Sequence, residues 1–126
     1  MCIRDSITAG PVTLAASTSL VVLPANGTLN VRGTNPYNTS TKRFTAPAAG
    51  LYMFAVHWLL TLPTATLNTQ IRKNGVVDAY ALGGQLTHVL YLTTSDYVEV
   101  FVRHAESTTQ NIDVEATTTF ITCTML

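Results

Sequence analysis

After Gly50 the chain runs LYMFAVHWLL, and His57 is its one polar position. Successive side chains of a strand face opposite ways. Tyr52, Phe54, Val56, Trp58 and Leu60 therefore share one side, bulky and unbroken, suited to a sandwich interior. Leu51, Met53, Ala55, His57 and Leu59 share the other, apolar but mixed in size. In an antiparallel sheet the outer side ordinarily meets water and turns polar. Here it does not, so something must cover it. The chain offers no spare element long enough, and a subunit interface outweighs a covering loop or helix. The pattern predicts a β-sandwich with one side of this strand on its own core and the other on sister copies.

The same alternation recurs along the chain, and no stretch carries a convincing helical period. PVTLAAST and SLVVL are short β-prone runs closed by the turn Pro24-Ala25-Asn26-Gly27. TLNVR follows, then Asn35-Pro36, where the proline disfavours helix in its predecessor. YNTSTKRFTA predicts an edge strand or hairpin. TLNTQIRK and VVDAYAL flank Asn74-Gly75, a strong hairpin signal because a type I′ turn needs positive φ at both central residues. QLTHVLYLTT and YVEVFVRH flank Ser95-Asp96, with Val98, Val100 and Val102 on one face and Tyr97, Glu99, Phe101 and Arg103 on the other. NIDVEA and TTTFITCTML complete the set. About ten short strands at even spacing predict an all-β antiparallel fold of two sheets, a sandwich or a jelly roll.

Composition narrows what such a sandwich does. The 126 residues suit one domain, which buries roughly two-thirds of the unfolded chain's surface. Only 11% of residues are charged, where about 25% is usual. Seven basic and seven acidic residues cancel, without a block of either sign. A nucleic-acid surface needs a basic stripe to displace counterions, and a membrane patch needs clustered lysines, so neither partner is expected. Threonine supplies much of the polarity and favours strands. The N-terminal MCIRDS lacks an apolar core behind it, so no signal peptide is visible. It looks like the translated remnant of a sequencing adapter, of the kind found in assembled metagenomes. Residues 1–6 are set aside as a tag-like or disordered segment, and 7–126 are read as one domain. No apolar run reaches the ~18 residues of a membrane helix. Two cysteines, Cys2 and Cys123, make no disulfide framework, and Cys123 reads as a small buried hydrophobe.

The segment YNTSTKRFTAPAAGLYMFAVHWLL resembles the signature region of the complement C1q and tumour necrosis factor superfamily. Tyr37-Asn38 leads into Phe44-Thr45 and Pro47, then Gly50-Leu51-Tyr52 and Phe54 open a central strand. Lys73 to Gly75 and LTTSDYVEV, Leu92 to Val100, fall in the expected order. Ser95 stands where the family tends to carry glycine, and TFITCTML departs from the usual ending. The resemblance implies a ten-stranded jelly roll that assembles as a compact homotrimer around the sheet containing the Gly-Leu-Tyr strand. It places Tyr52, Phe54, Val56 and Trp58 in the core, and Met53, Ala55, His57 and Leu59 against neighbouring subunits, with Val89 and Tyr91 beside them. It further implies a binding and assembly module rather than an enzyme. Its expected settings are a phage tail or fibre, a bacterial surface structure or, as the alternative, a secreted protein that recognises glycan or protein.

Chemistry-bearing residues add little to that expectation. His57, His88 and His104 are too scattered for a local metal motif. His104 with Glu106, or Asp113 with Glu115, offer oxygens of the kind calcium takes, though a solvated strand end outweighs such a site. A second candidate gathers three copies of His57 at a threefold axis, against a simply packed histidine. No cofactor is expected. No nucleophile elbow or phosphate loop appears, and Gly83-Gly84 reads as a bend or bulge. Asn26-Gly27-Thr28 and Asn38-Thr39-Ser40 fit the glycosylation pattern, which matters only in a eukaryotic secretory setting. Tyr37, Asn111 and Asp113 are candidate loop contacts for a ligand.

Overall fold

In the computed structural model, the described residues are 5–9, 13–14, 21–22, 25–26, 36–58, 67–104, 110–111 and 120–126. None of them is helical. The strands are β1 (Asp5–Ala9), β2 (Thr13–Leu14), β3 (Val21–Val22), β4 (Ala25–Asn26), β5 (Tyr37–Asn38), β6 (Arg43–Thr45) and β7 (Gly50–His57). They continue as β8 (Leu67–Lys73), β9 (Val76–Leu82), β10 (Gln85–Leu92), β11 (Tyr97–His104), β12 (Gln110–Asn111) and β13 (Phe120–Met125). One sheet runs β10-β7-β13-β1-β4, the other β5-β6-β11-β8-β9 with β3 also on β11, and every pairing is antiparallel. The expected two-sheet antiparallel jelly roll is therefore what forms. Its strand segments outnumber the expected ten because several are two-residue pieces. β1 takes in Asp5 and Ser6, opposite Cys123 and Thr122, so backbone pairing reaches into the segment set aside as a tag.

The core lies between the sheets. β7 contributes Tyr52, Phe54 and Val56, each at most 3% exposed, and Trp58 just beyond the strand is fully buried. Leu90, Leu92, Ile121 and Cys123 line the same sheet, while Phe44, Ile71, Val98, Val100 and Val102 face them from the other. Phe44 bridges the layers, with its ring edge-on to Tyr52 at 5.5 Å and to Phe54 at 5.1 Å. That geometry sets the positive edge of one ring against the negative face of another.

Turn chemistry fixes the register. Asn74 and Gly75 both take positive φ, 50° and 83°, as a type I′ hairpin demands. Ser95 adopts φ 81°, so this serine takes the left-handed conformation that glycine would take freely. Gly83 and Gly84 make the bend between β9 and β10, and a Cβ on Gly84 would lie 2.2 Å from the Trp58 carbonyl oxygen. Only glycine lets those two segments meet.

Asp96 ties the β8–β9 turn to the β10–β11 turn. Its carboxylate accepts from Asn74 Nδ2 at 2.8 Å, from the Thr93 N–H at 2.8 Å and from the Thr93 hydroxyl at 2.9 Å. Lys73 Nζ stands 3.3 Å away. Asn74 also accepts from the Tyr97 N–H at 2.9 Å. The bond from Asn74, then those from Thr93, hold the Asp96 carboxyl well below the usual carboxylate range. A carboxyl depressed in the folded state stabilises fully above its unfolded value near ~4, and that stabilisation is withdrawn as pH falls toward the folded value. Urea midpoints should therefore drop between pH 5 and pH 2 in the wild type and drop less in Asp96→Ala, which starts lower at neutral pH. An equal acid drop in both would remove Asp96 from that role.

Candidate functional site

The outer face of the β10-β7-β13 sheet is built from cross-strand rows. Leu51 sits opposite Tyr91; Met53 lies between Val89 and Thr124; Ala55 lies between Thr87 and Thr122; His57 lies between Gln85 and Phe120. Leu126 extends the face, with its N–H donating to the Leu51 carbonyl at 2.9 Å. The His57 ring stacks on Phe120 at 5.6 Å. Leu51 is 46% exposed, Val89 44%, Tyr91 54% and Leu126 64%. These are four of the eight exposed large hydrophobics among the described residues, and the other four lie on β9. Singly exposed apolar side chains are ordinary, whereas a contiguous apolar sheet face marks a contact surface.

Of the residues expected on that face, Met53, Ala55, His57, Val89 and Tyr91 share it, while Leu59 lies outside the described residues. Phe120 and Leu126 belong to it as well and were missed. The alternation Phe120, Thr122, Thr124, Leu126 against Ile121, Cys123, Met125 carries that signal in the sequence.

The other candidates separate. His88 is on β10 but faces away from the apolar surface, and its Nε2 lies 2.6 Å from Asp78 Oδ2 on β9, joining the two sheets at their open edge. His104 is 1% exposed at the end of β11. The three histidines are thus not brought together, and Glu106, Asp113 and Glu115 lie outside the described residues. Among the described residues, no three His, Cys, Asp or Glu side chains cluster as metal ligands would. Tyr37 is corrected: it is 7% exposed in β5, and burial pushes its hydroxyl pKa upward, so it is no loop contact. Asn38 Oδ1 is engaged by the Ser40 and Thr41 N–H groups. No described helix is long and apolar enough to cross a membrane.

The outer face of the second sheet is different in kind. Arg43 reaches Glu99 at 3.2 Å and lies over the Tyr97 ring at 4.2 Å, while Arg72 lies over Phe101 at 4.0 Å. Guanidinium stacking on aromatic faces covers apolar surface and keeps this side compatible with water.

No protein-family model and no curated protein matches the sequence. Solved structures do match in fold. Murine APRIL superposes with a TM-score of 0.67 at 13% identity, covering 100% of both chains. Eiger TNF from S. frugiperda gives 0.63 at 12% identity, covering 99% of this chain and 92% of that one. GITRL from bushbaby gives 0.50 at 12% identity over 67% of this chain and 68% of that one. At such identities the likeness concerns architecture, and the architecture of this chain is the tumour necrosis factor-like jelly roll.

Proposed function

We propose that this chain is a non-enzymatic head domain that assembles as a homotrimer through the outer face of the β10-β7-β13 sheet and binds a glycan or protein partner elsewhere on its surface. The observation that carries the reading is the contiguous apolar patch of Leu51, Met53, Val89, Tyr91 and Leu126 on a sheet whose other side is already filled by core. Water is a poor neighbour for that face, and a second copy of the same chain satisfies it. The number three follows the sequence resemblance to C1q and tumour necrosis factor domains, which the jelly-roll fold supports. A phage tail or fibre, a bacterial surface structure and a secreted protein would all use the same assembly.

Two tyrosines test it. Tyr91 is 54% and Tyr80 52% exposed in the single chain, one on each sheet. Hydroxyl-radical labelling of the native protein at micromolar concentration should modify Tyr80 several-fold faster than Tyr91. Equal labelling would mean that Tyr91 faces water, and the reading would fail.

A further inference from the structure

The outward face of the second sheet holds a hollow of about 190 Å³ lined by Asn68, Gln70, Tyr80 and Arg103. Three strands bring these residues together. Arg103 of β11 sits opposite Asn68 of β8, which sits opposite Leu82 of β9; in the next row Phe101, Gln70 and Tyr80 align. We propose that this hollow binds a carboxylate-bearing sugar unit. The inference deepens the binding half of the function proposed above by naming a ligand class, and the site lies wholly within one chain.

The amide groups that line the hollow are engaged on their oxygens. The Arg72 Nε–H only donates, and it donates to Gln70 Oε1 at 3.0 Å. The Tyr80 hydroxyl donates to Asn68 Oδ1 at 2.6 Å. The amide oxygens are therefore engaged within the protein, and the amide NH2 groups with the Arg103 guanidinium remain for a ligand. A hollow furnished with donors selects an acceptor.

Charge points the same way. Among the residues whose side chains are described, the carboxylates are Asp78, paired with His88, Asp96 with Lys73 and Glu99 with Arg43, and none of the three is on Arg103. Arg72 adds a second cation beside Gln70. The planar fork of a guanidinium matches a carboxylate's two oxygens. The ring that carries the carboxylate has its own platform, because Tyr80 is 52% and Leu82 77% exposed at the side of the hollow. Such apolar flats suit the C–H face of a pyranose, and the volume is that of about six waters, enough for one sugar unit. An acidic peptide side chain offers the carboxylate but no ring for the platform.

The test is a titration of the 15N-labelled protein with galacturonate, galactose and glutamate, followed by amide shifts. Galacturonate should shift Asn68, Gln70, Tyr80, Leu82 and Arg103 saturably, with galactose and glutamate at least tenfold weaker. Arg103→Gln and Gln70→Glu should each weaken galacturonate tenfold or more while the far-ultraviolet spectrum and the mass stay unchanged. Absence of galacturonate binding, or equal binding by Arg103→Gln, would overturn the site. Glutamate binding as tightly as galacturonate would overturn the sugar assignment. Light scattering on the same samples separates the two proposals: a trimer that does not bind sinks the hollow alone, and a monomer that binds sinks the assembly alone.

Discussion

Val89→Asp should turn the assembly into folded monomers. Val89 stands on β10 opposite Met53, in the middle of the apolar face, and is 44% exposed in the single chain. In a lone molecule an aspartate there remains solvated, and its cost is set by strand preference, about 1 kcal/mol or less. Inside an interface it is a buried carboxylate without a partner, which costs roughly 3 kcal/mol or more per copy. At ~1.4 kcal/mol per decade, association weakens more than a hundredfold for each contact. Sedimentation velocity should show one slow species with an unchanged circular dichroism spectrum. A Val89→Asp protein that stays oligomeric would place the interface elsewhere.

Trp58→Ala should be the most damaging core substitution and should act on the fold whatever the oligomeric state. Trp58 is fully buried at the end of β7. Its indole N–H donates to Thr69 Oγ1 at 2.8 Å, the Thr69 hydroxyl donates to the Gly83 carbonyl at 2.6 Å, and the Trp58 N–H donates to the Gly84 carbonyl at 2.8 Å. One residue thus locks the β9–β10 bend of both sheets onto β7. Emptying the site costs about 3–5 kcal/mol, a large share of the ~5–15 kcal/mol that holds a domain together. Thr69→Val keeps the volume but strands the indole N–H, at about 1–3 kcal/mol. Urea denaturation should rank the wild type above Thr69→Val and both above Trp58→Ala. A Trp58→Ala protein as stable as the wild type would contradict the lock.

What the sequence disclosed and what it hid follow from how far each interaction reaches along the chain. Alternation is local, so the two sides of β7 and the split of Val98, Val100 and Val102 from Tyr97, Glu99, Phe101 and Arg103 could be read from single strands. Asn74-Gly75 was legible because its turn needs two positive φ angles that few residues adopt. The burial of Tyr37 was not, since it depends on β6 bringing Phe44 opposite it. Asn68, Gln70, Tyr80 and Arg103 come from three strands, and no linear motif joins them. The same holds for Trp58, Thr69 and Gly83, whose hydrogen bonds span 11 and 14 residues. The exposed apolar side chains of β9, Val76, Val77, Tyr80 and Leu82, look in sequence like any half-buried strand. Tyr80 and Leu82 are exposed because they stand on the outward face of the second sheet, at a strand with a neighbour on one side only, a fact of topology.

The whole account turns on whether the dry outer surface of the β7 sheet is shared between copies. Light scattering of the eluting protein at micromolar concentration weighs the particle directly. The account predicts three times the 13.6 kDa of one chain. A stable particle of single-chain mass would contradict it.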